Sequence, residues 1–556
     1  MTDNKTTTVG RYLVKRLEQL SLKHIFGVPG DYTLTFFDRL EESKIKVITN
    51  CNELNAGYAA DAYARIHGLG AVCITYDVGG LSLLNAVVGS FAERLPVIVI
   101  SGGPKTTERP HHHLLHHTIG DMDLQYKIYE KTTSAAVVLM DPEKAPAQID
   151  ETISSCIRLK RPVYIEIPLD IVDVPCRAPS ASFRPDISIS SDKESLKEAV
   201  EEAAGILKKA KNPLILAGVE PHRFHIQNEL QCVIDHTGYP FAVSLLGKSV
   251  LSENHPQFIG VYGGVASRDE ARRAAEESDC MLCLGTLMTD IEIGREKTLC
   301  DQSKMIVANS EKVRIKHHTY DDVSLKDFMA ALCFKLPRGR FRAGGIRHPS
   351  QDAKEKFIAK PNEKITVKRF YKRMNHFIRN TDVIIADTGD SLFSSADIFL
   401  PEGAVFLDQA FYLSIGYSIP ATLGAGLAAR GRRIVTFVGD GAFQMTAQEL
   451  STIIRNGLKP VIFVMNNEGY AVERIMNDGA YNDLNVWKYH ILPEVFNGKR
   501  GIEVRTEGEL ERALNNIKDN NKDLVFIEVH LGKKDYSDHL KKQGELYNKV
   551  WKGGAA

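Results

Sequence analysis

Two short apolar runs in the last third of the chain predict neighbouring buried strands. Residues 434–438 (IVTFV) and 461–465 (VIFVM) are apolar or β-branched, and each is followed at once by Gly or Asn. Between them, residues 446–456 carry Leu and Ile at helical spacing and end before a glycine. A strand, a helix and a strand in this order predict a parallel βαβ unit, whose two strands end at the same edge of the sheet. We therefore expect Asp440, after the first strand, to lie close to Asn467, after the second.

The rest of the chain alternates apolar runs with amphipathic patterns. Strands are predicted at 24–28, 46–48, 70–76, 96–100, 213–218, 279–285 and 305–308, and helices at 9–20, 54–66 and 196–209. Residues 176–195 and 337–363 are poor in apolar residues and rich in Pro, Ser, Asp, Arg or Gly, which is typical of linkers. The pattern predicts an α/β protein with three doubly wound parallel-sheet domains, which we place at residues 1–180, 190–340 and 360–556.

The residues at the predicted strand ends suggest a metal site. Asp440 lies in a Gly-Asp-Gly segment, and Asn467 begins the segment Asn-Glu-Gly-Tyr. A carboxylate, an amide oxygen and a backbone carbonyl of a glycine such as Gly469 are hard oxygen ligands, which suit Mg²⁺. The alternative is a turn at the end of a strand, with Asp440 as the N-cap of the next helix.

Composition limits the class of function. The chain has 556 residues with 70 Lys plus Arg and 70 Asp plus Glu, so no net field favours nucleic acid or an anionic membrane. No apolar stretch is long enough to span a bilayer, the first residues lack a signal-peptide core, and the cysteines are scattered through apolar segments like reduced thiols. We expect a cytoplasmic protein that acts on a small molecule, with neither nucleic acid nor membrane as a partner.

Four separated segments carry a further signal. They are Gly27–Asp31 (GVPGD), Asn52–Ala56 (NELNA), Leu115–Thr118 (LHHT) and Asn467–Glu473 (NEGYAVE). Together with the Gly-Asp-Gly segment they resemble the motifs of the thiamine-diphosphate-dependent 2-oxo acid decarboxylases, and the resemblance covers nearly the whole chain. It implies thiamine diphosphate and Mg²⁺ as cofactors, and a pyrimidine-binding, a middle and a diphosphate-binding domain in this order. The implied reaction is the non-oxidative decarboxylation of a 2-oxo acid to an aldehyde and CO₂.

The same resemblance assigns roles to individual residues. The catalytic set would be Asp31, Glu53, His116, His117 and Glu473. The cofactor would be held by Glu53, Asp390, Leu413, Ile415, Asp440, Gly441, Ala442, Asn467, Gly469 and Tyr470, with Asp440, Asn467 and Gly469 on the metal. The substrate pocket would include Leu392, Phe393, Val472 and Met476. Glu53 would hydrogen-bond the aminopyrimidine ring of the cofactor, and Ile415 would be the apolar wedge beneath it.

Structural alternatives stay open for several of these residues. Asp31 and Asp390 have the sequence context of turns, and Glu53 stands where a helix cap is expected. Histidines 111–113 are predicted to be an exposed loop, because they and the histidine pair that follows lack the spaced Cys or carboxylate partners of a zinc site. A carboligating thiamine-diphosphate synthase is the alternative of another class. Synthases of that kind lack the paired histidines and the counterpart of Glu473.

Two pocket positions bear on the choice of substrate. At the position of Leu392, pyruvate-specific relatives can have a large aromatic residue, and at that of Val472 they commonly have Ile. The smaller residues favour an aromatic or branched-chain acid such as phenylpyruvate, indolepyruvate or 4-methyl-2-oxopentanoate, with pyruvate as the alternative.

The resemblance also implies an assembly. The first domain of one subunit and the third domain of its neighbour would each supply half of an active site, so we expect an obligate homodimer, paired into a tetramer. The amphipathic segment 540–551 is predicted to close over the site as a lid.

Overall fold

The computed structural model describes residues 6–109, 114–187, 189–264, 266–290, 301–339, 346–517 and 523–552. Histidines 111–113 lie outside the described residues. Three main β-sheets with flanking helices make up the described part of the chain, which confirms the predicted α/β class with three sheet domains.

The first sheet is entirely parallel. The strands of this region are β1 (Thr6–Thr8), β2 (His24–Gly27), β3 (Lys46–Thr49), β4 (Gly70–Ile74), β5 (Val97–Gly103), β6 (Ala136–Val138), β7 (Val163–Pro168) and β8 (Pro175–Arg177). Its helices are Val9–Gln19, Leu34–Glu41, Glu53–His67, Val78–Ala92, Leu124–Thr132 and Ala145–Leu159. The sheet order is β3-β2-β4-β5-β7-β6, while β1 and β8 form a separate antiparallel ribbon.

The second sheet is mixed. Its strands are β9 (Pro213–Ala217), β10 (Phe241–Ser244), β11 (Phe258–Tyr262), β12 (Cys280–Leu284), β13 (Met305–Ala308), β14 (Lys312–Ile315) and β15 (His318–Asp321). The helices of this region are Lys193–Leu207, Glu220–Arg223, Gln227–Thr237, Asp269–Glu276, Leu325–Lys335 and Ser350–Ala353. The order is β11-β10-β9-β12-β13-β14-β15. Strand β14 pairs antiparallel with both β13 and β15, a feature that the sequence did not predict.

The third sheet is parallel and contains the predicted βαβ unit. Its strands are β16 (Val383–Ala386), β17 (Val405–Leu407), β18 (Ile434–Gly439), β19 (Val461–Asn466), β20 (Ile502–Val504) and β21 (Val525–His530), in the order β17-β16-β18-β19-β21-β20. The helices are Val367–Met374, Asp390–Ser395, Ser418–Ala428, Asp440–Thr446, Glu449–Arg455, Ala471–Met476, Leu492–Val495, Glu507–Asn515 and Asp538–Lys552. The helix predicted at 446–456 thus begins three residues later, at Glu449, after a separate helix of equal length that starts at Asp440.

Contacts within the chain divide it into two compact units. The first comprises the described parts of Met1–Ser188, Ile419–Gly431 and Thr446–Leu458, and the second contains the rest, including the second and third sheets. Two helical segments of the region that we assigned to the third domain therefore belong to the unit of the first sheet. The domain bounds given above stay a prediction.

Burial explains why the central strands form. All residues of β4, β5, β7 and β12 are buried, as expected of strands covered by helices on both faces. Among the residues that the structure describes, each helix is too short or too polar to cross a membrane.

Candidate active site

Three oxygen atoms meet where β18 and β19 end. The two strands pair in parallel with Gly439 beside Met465, so Asp440 and Asn467 leave the same edge of the sheet. The side-chain oxygen of Asn467 faces Asp440 Oδ1 at 3.1 Å and the carbonyl oxygen of Gly469 at 3.0 Å. With its NH₂ group turned to these two oxygens, the Asn467 amide donates a hydrogen bond to each. With its oxygen turned there, three oxygen atoms face a space that a cation can occupy.

The Asp440 carboxylate is buried and held by the backbone. The N–H of Gly441 donates to Oδ1 at 2.8 Å, and that of Gly469 donates to Oδ2 at 3.2 Å. Burial raises the pKa of Asp440 to about 7, although these donors favour the ionised form and oppose the shift. A divalent cation beside this carboxylate would stabilise its ionised form.

A cavity of about 340 Å³ adjoins these oxygens within the second unit. The predicted catalytic residue Glu473 lines it, as do most of the residues predicted to bind the cofactor or the substrate, namely Asp390, Phe393, Leu413, Ile415, Asp440, Gly441, Ala442, Asn467, Gly469, Tyr470, Val472 and Met476. The ring of Tyr470 packs so closely on Gly441 that a Cβ atom there would lie 2.5 Å from Cε1 of the ring. A side chain at this position would therefore force the ring of Tyr470 to move.

Leu392 does not line this cavity, in contrast to the sequence-based expectation. It lies in the helix Asp390–Ser395, and its side chain is fully buried in the hydrophobic core of the second unit. Asp390 and Phe393 are three positions apart and share the helix face at the cavity. Phe393 also packs into the core, whereas Leu392 packs into the core alone. The size of Leu392 therefore does not set the volume of this cavity. Of the two positions considered for substrate size, only Val472 lines it.

Three of the predicted catalytic side chains meet in the first unit. His116 Nε2 lies 2.5 Å from Asp31 Oδ2, and His117 Nε2 lies 3.7 Å from Asp31 Oδ1. Tyr32 stacks on His116 with 4.8 Å between the ring centroids. Partial burial would raise the pKa of Asp31, but the hydrogen bond from His116 and the nearby imidazole charges outweigh it, so this pKa lies below its ordinary value. One potential metal-ligand atom from each of these three side chains lies within 4.8 Å of the other two. Asp31 is thus a carboxylate partner for the histidine pair, which the sequence alone did not indicate.

Glu53 is the first residue of the helix Glu53–His67, also in the first unit. The side chain of Asn52 caps this helix by accepting a hydrogen bond from the N–H of Asn55 at 2.8 Å. The cap is therefore Asn52, and the Glu53 carboxylate is not needed for that role.

Comparisons with known proteins agree with this arrangement. Models of the thiamine pyrophosphate enzymes match in order: the N-terminal TPP binding domain at residues 7–125, the central domain at 200–334 and the C-terminal TPP binding domain at 387–529. Pyruvate decarboxylase 1 of Zea mays is 36% identical over 550 residues, which is 97% of this chain and 90% of that protein. Pyruvate decarboxylase 3 of Arabidopsis thaliana is 35% identical over 553 residues, 97% and 93% of the two chains. A probable pyruvate decarboxylase of Schizosaccharomyces pombe is 34% identical over 541 residues, 96% and 95%.

The chain belongs to the thiamine-diphosphate-dependent 2-oxo acid decarboxylases. This membership confirms the resemblance, the enzyme class and the expected cofactors, thiamine diphosphate and Mg²⁺.

The oxygen cluster of the decarboxylase fits Mg²⁺. In an octahedral shell with bonds of about 2.0–2.1 Å, neighbouring ligand oxygens are separated by about 2.8–3.0 Å. The two separations made by the Asn467 oxygen, 3.1 Å to Asp440 and 3.0 Å to Gly469, are close to this value. With the Asn467 amide presenting its oxygen, the spacing of these three groups therefore suits an octahedral Mg²⁺ shell, and these three residues would hold the ion.

Asp387 is a residue of the decarboxylase that the sequence analysis missed. Its buried carboxylate accepts from the N–H of Gly416 at 3.0 Å and from the N–H of Ser418 at 2.8 Å, which fixes the loop that carries Ile415. Burial raises the pKa of Asp387 to about 6, and the same N–H donors oppose the shift. Asp387 directly follows β16, just as Asp440 directly follows β18, and this repeated placement was the available signal.

Glu449 is a second residue that the sequence analysis missed. Its fully buried carboxylate accepts from Asn50 Nδ2 and Asn55 Nδ2, both at 2.8 Å, and from the N–H of Cys51 at 3.2 Å. These donors flank the start of the helix that Glu53 begins. Glu449 thereby positions the backbone from which Glu53 projects, although the two residues are far apart in sequence.

The C-terminal segment contributes to the cavity wall. Gln543 lines the cavity, and the N–H of Ser537 donates to Asp390 Oδ2 at 3.0 Å. Gly544 approaches Ile475 so closely that a Cβ atom would lie 2.7 Å from its side chain. The helix Asp538–Lys552 is thus packed beside the cavity, where the predicted lid would have to lie.

Proposed function

We propose that this decarboxylase converts pyruvate to acetaldehyde and CO₂. The observation that supports pyruvate is that relatives similar over nearly the whole chain are named pyruvate decarboxylases. The larger 2-oxo acids, our main expectation from the sequence, have less support because Leu392 lies in the core. Pyruvate, the alternative in the sequence analysis, is therefore the better-supported substrate.

The residues of the chain would bind and orient the cofactor. Thiamine diphosphate, when bound, supplies the electron sink that lets the substrate carboxylate leave as CO₂. Asp440, Asn467 and the Gly469 carbonyl would hold Mg²⁺ beside the diphosphate, while Ile415 would support the cofactor from the cavity wall. Glu53 would hydrogen-bond the aminopyrimidine ring.

The reaction takes up one proton, because a hydrogen replaces the lost carboxylate on the substrate carbon. Asp31, whose lowered pKa keeps it ionised at neutral pH, would accept from His116 Nε2 and so make Nδ1 the nitrogen that exchanges a proton. Glu473 on the cavity wall would be the second group that holds a proton near the substrate.

The larger 2-oxo acids are the second candidate, supported by Val472. This residue lines the cavity, and the space of one or two methylene groups is worth only about 1–3 kcal/mol of discrimination. A small residue here would favour bulky substrates without excluding pyruvate.

Substrate ranking tests the proposal. We would measure CO₂ release at saturating thiamine diphosphate and Mg²⁺ with pyruvate, 2-oxoisovalerate, 4-methyl-2-oxopentanoate, phenylpyruvate and indolepyruvate. The expected result is the highest kcat/KM with pyruvate, and in Val472→Ile a loss of about tenfold or more with phenylpyruvate only. Val486→Ile, at a position that is 49% exposed, is the matched control.

Three other results would each decide differently. A higher kcat/KM with one of the larger acids would replace pyruvate by the second candidate. An equal loss with pyruvate and phenylpyruvate in Val472→Ile would refute the size argument. No CO₂ from any acid, despite saturable binding of the cofactor, would favour a carboligating synthase.

We further propose a homodimer whose active sites combine residues of both subunits, with dimers paired into a tetramer. The support is the family resemblance and the exposure of Asp31 and His116, whose side chains are 54% and 58% exposed in the single chain. Co-expression of Glu53→Gln and Asp440→Asn subunits with different tags gives hybrid dimers. Sites shared between subunits predict one intact site per hybrid dimer and about half of the wild-type activity. Sites within one chain predict an inactive hybrid.

A further inference from the structure

Two histidines and two glutamates form a cluster on the third sheet that has no part in the proposed decarboxylation. Strand β21 is apolar except for Glu528 and His530, which are two positions apart and so project from the same face. Glu503 of β20 lies in register beside Glu528, and Asn466 of β19 lies in register beside His530. A short 3-10 turn before β20 adds His490.

The ring nitrogens and carboxylate oxygens of this cluster converge. His490 Nδ1 lies 2.6 Å from Glu528 Oε2. His530 Nε2 lies 2.8 Å from Glu503 Oε1 and 3.3 Å from Glu528 Oε1. The ligand atoms offered by His490, Glu503 and Glu528 all lie within 4.8 Å of one another. Each imidazole thus faces a carboxylate, and Glu528 faces both imidazoles.

We propose that His490, Glu503 and Glu528, whose ligand atoms already lie within 4.8 Å of one another, bind a divalent metal ion of the zinc type, with His530 turning in as the fourth ligand. Zinc takes four ligands at about 2.0–2.2 Å in a tetrahedron, whose ligand atoms are about 3.3–3.6 Å apart. The separation of 3.3 Å between His530 and Glu528 already matches this value. The shorter contacts, 2.6 Å between His490 and Glu528 and 2.8 Å between His530 and Glu503, need to open by roughly 0.5–1.0 Å when the metal replaces a hydrogen-bonding proton. Imidazole nitrogens distinguish this site from the oxygen-only cluster that would hold Mg²⁺.

The surroundings of Glu528 hold it in a ligating position. Asn466 Nδ2 donates to Glu528 Oε1 at 2.7 Å, and the backbone N–H of His490 donates to Oε2 at 3.0 Å. Each carboxylate oxygen therefore has a neutral donor that stays in place when the imidazoles turn to a metal. Outer hydrogen bonds of this kind orient metal ligands in known sites. Glu528 is 2% exposed, so its orientation is fixed by these donors rather than by water.

Glu503 is the weakest of the four ligands. Its side chain is 36% exposed, and Oε1 also accepts from Arg505 at 2.6 Å. A metal would compete with this guanidinium, so the loss of Glu503 should weaken binding less than the loss of either histidine. The order of these effects distinguishes a four-residue site from a single metal-binding histidine.

Zinc binding to the full-length holoenzyme tests the proposal. The protein, saturated with thiamine diphosphate and excess Mg²⁺, is titrated with Zn²⁺ in equilibrium dialysis, and Co²⁺ provides a visible absorption spectrum of tetrahedral coordination. We expect one Zn²⁺ per chain beyond the Mg²⁺ site. His490→Ala and His530→Ala should each weaken binding more than about 100-fold, because even the outer partners of metal ligands are worth about 10–100-fold. Glu503→Gln should weaken it about tenfold.

His318→Ala is the matched control, because His318 also pairs with a carboxylate, Glu202, at 3.0 Å but is 68% exposed outside the cluster. It should leave Zn²⁺ binding unchanged. If a histidine variant loses its far-UV circular dichroism, Glu503→Gln decides alone, since its side chain is partly exposed. Equal Zn²⁺ binding by wild type, His490→Ala and Glu503→Gln, or a tetrahedral Co²⁺ spectrum that survives in His530→Ala, would overturn the proposal and leave the cluster as hydrogen-bonded pairs.

Discussion

Replacing Glu449 by alanine should destabilise the first unit and weaken cofactor binding. The buried carboxylate accepts two hydrogen bonds of 2.8 Å from Asn50 and Asn55 and one of 3.2 Å from the N–H of Cys51. A buried donor left without an acceptor costs about 1–3 kcal/mol, and the longer bond contributes least, so we expect a loss of about 3–6 kcal/mol in the free energy of unfolding. The freed segment also carries Glu53, so the affinity for thiamine diphosphate should fall.

Scanning calorimetry of the cofactor-free protein measures the loss, and cofactor titration measures the effect on binding. Glu449→Gln keeps one acceptor oxygen and should lie between alanine and wild type in stability. Glu151→Ala removes an exposed glutamate from the helix Ala145–Leu159 of the same unit and serves as the control. A loss below about 1 kcal/mol in Glu449→Ala, or one equal to the control, would refute the reasoning, because the three donors would then have other acceptors.

Three further predictions concern packing, protonation and the C-terminus. Gly424→Ala places a Cβ atom 2.0 Å from the Ala59 carbonyl oxygen and should destabilise the protein by at least about 1–3 kcal/mol. Gly205→Ala lies on an open helix surface and should stabilise it by about 0.5–1 kcal/mol. Thermal melts of the two variants that shift in the same direction would contradict this. Because the pKa of Asp440 is raised from 3.8 to about 7, the folded cofactor-free protein holds a proton that the unfolded chain has lost, and its stability should fall as the pH rises through this window. Mg²⁺ needs the ionised carboxylate, so its affinity should fall as the pH drops below about 7, approaching tenfold per pH unit. Calorimetry and Mg²⁺ titration between pH 5 and pH 8 check both trends, which a flat profile would rule out. Truncation after Asp538 removes a helix that lines the cavity and should abolish CO₂ release, while the cofactor-free protein still folds. Unchanged kinetics of CO₂ release would exclude the lid.

The parts of the site that could be predicted follow from strand ends. β18 and β19 are recognisable as apolar runs, and parallel pairing brings whatever follows them to one edge of the sheet. Asp440 and Asn467 could therefore be placed together from sequence, and so could the helix that Glu53 begins. These inferences need only local pattern and the handedness of the βαβ connection.

Side-chain orientation and long-range contacts could not be predicted in this way. Leu392 and Phe393 are adjacent in sequence and both belong to the buried core, yet only Phe393 also lines the cavity, because the rotation of a short helix decides which side chain reaches it. Glu449 lies on a helix whose spacing predicted its Leu and Ile as core, but nothing in that spacing indicates the asparagines that its carboxylate accepts from. Such contacts depend on how distant elements pack, which a single sequence does not record.

Backbone strain at two residues shows how the packing around a segment can override the conformation that its sequence favours. Leu413 and Glu468 adopt left-handed conformations, with φ of 57° and 58°, although a side chain other than glycine costs about 1–2 kcal/mol there. Neither residue type favours that conformation, so the surroundings must impose it. The N–H of Leu413 donates to the Gln409 carbonyl at 3.1 Å, and the N–H of Glu468 donates to Asn466 Oδ1 at 3.3 Å. Leu413 lies on the cavity wall. Glu468 lies between Asn467 and Gly469, two of the predicted metal ligands. Eleven other non-glycine residues of the described chain, Ser21 and Asn497 among them, also have positive φ, so the link to a ligand rests on the place of Leu413 and Glu468 at this edge of the third sheet and not on the strain itself.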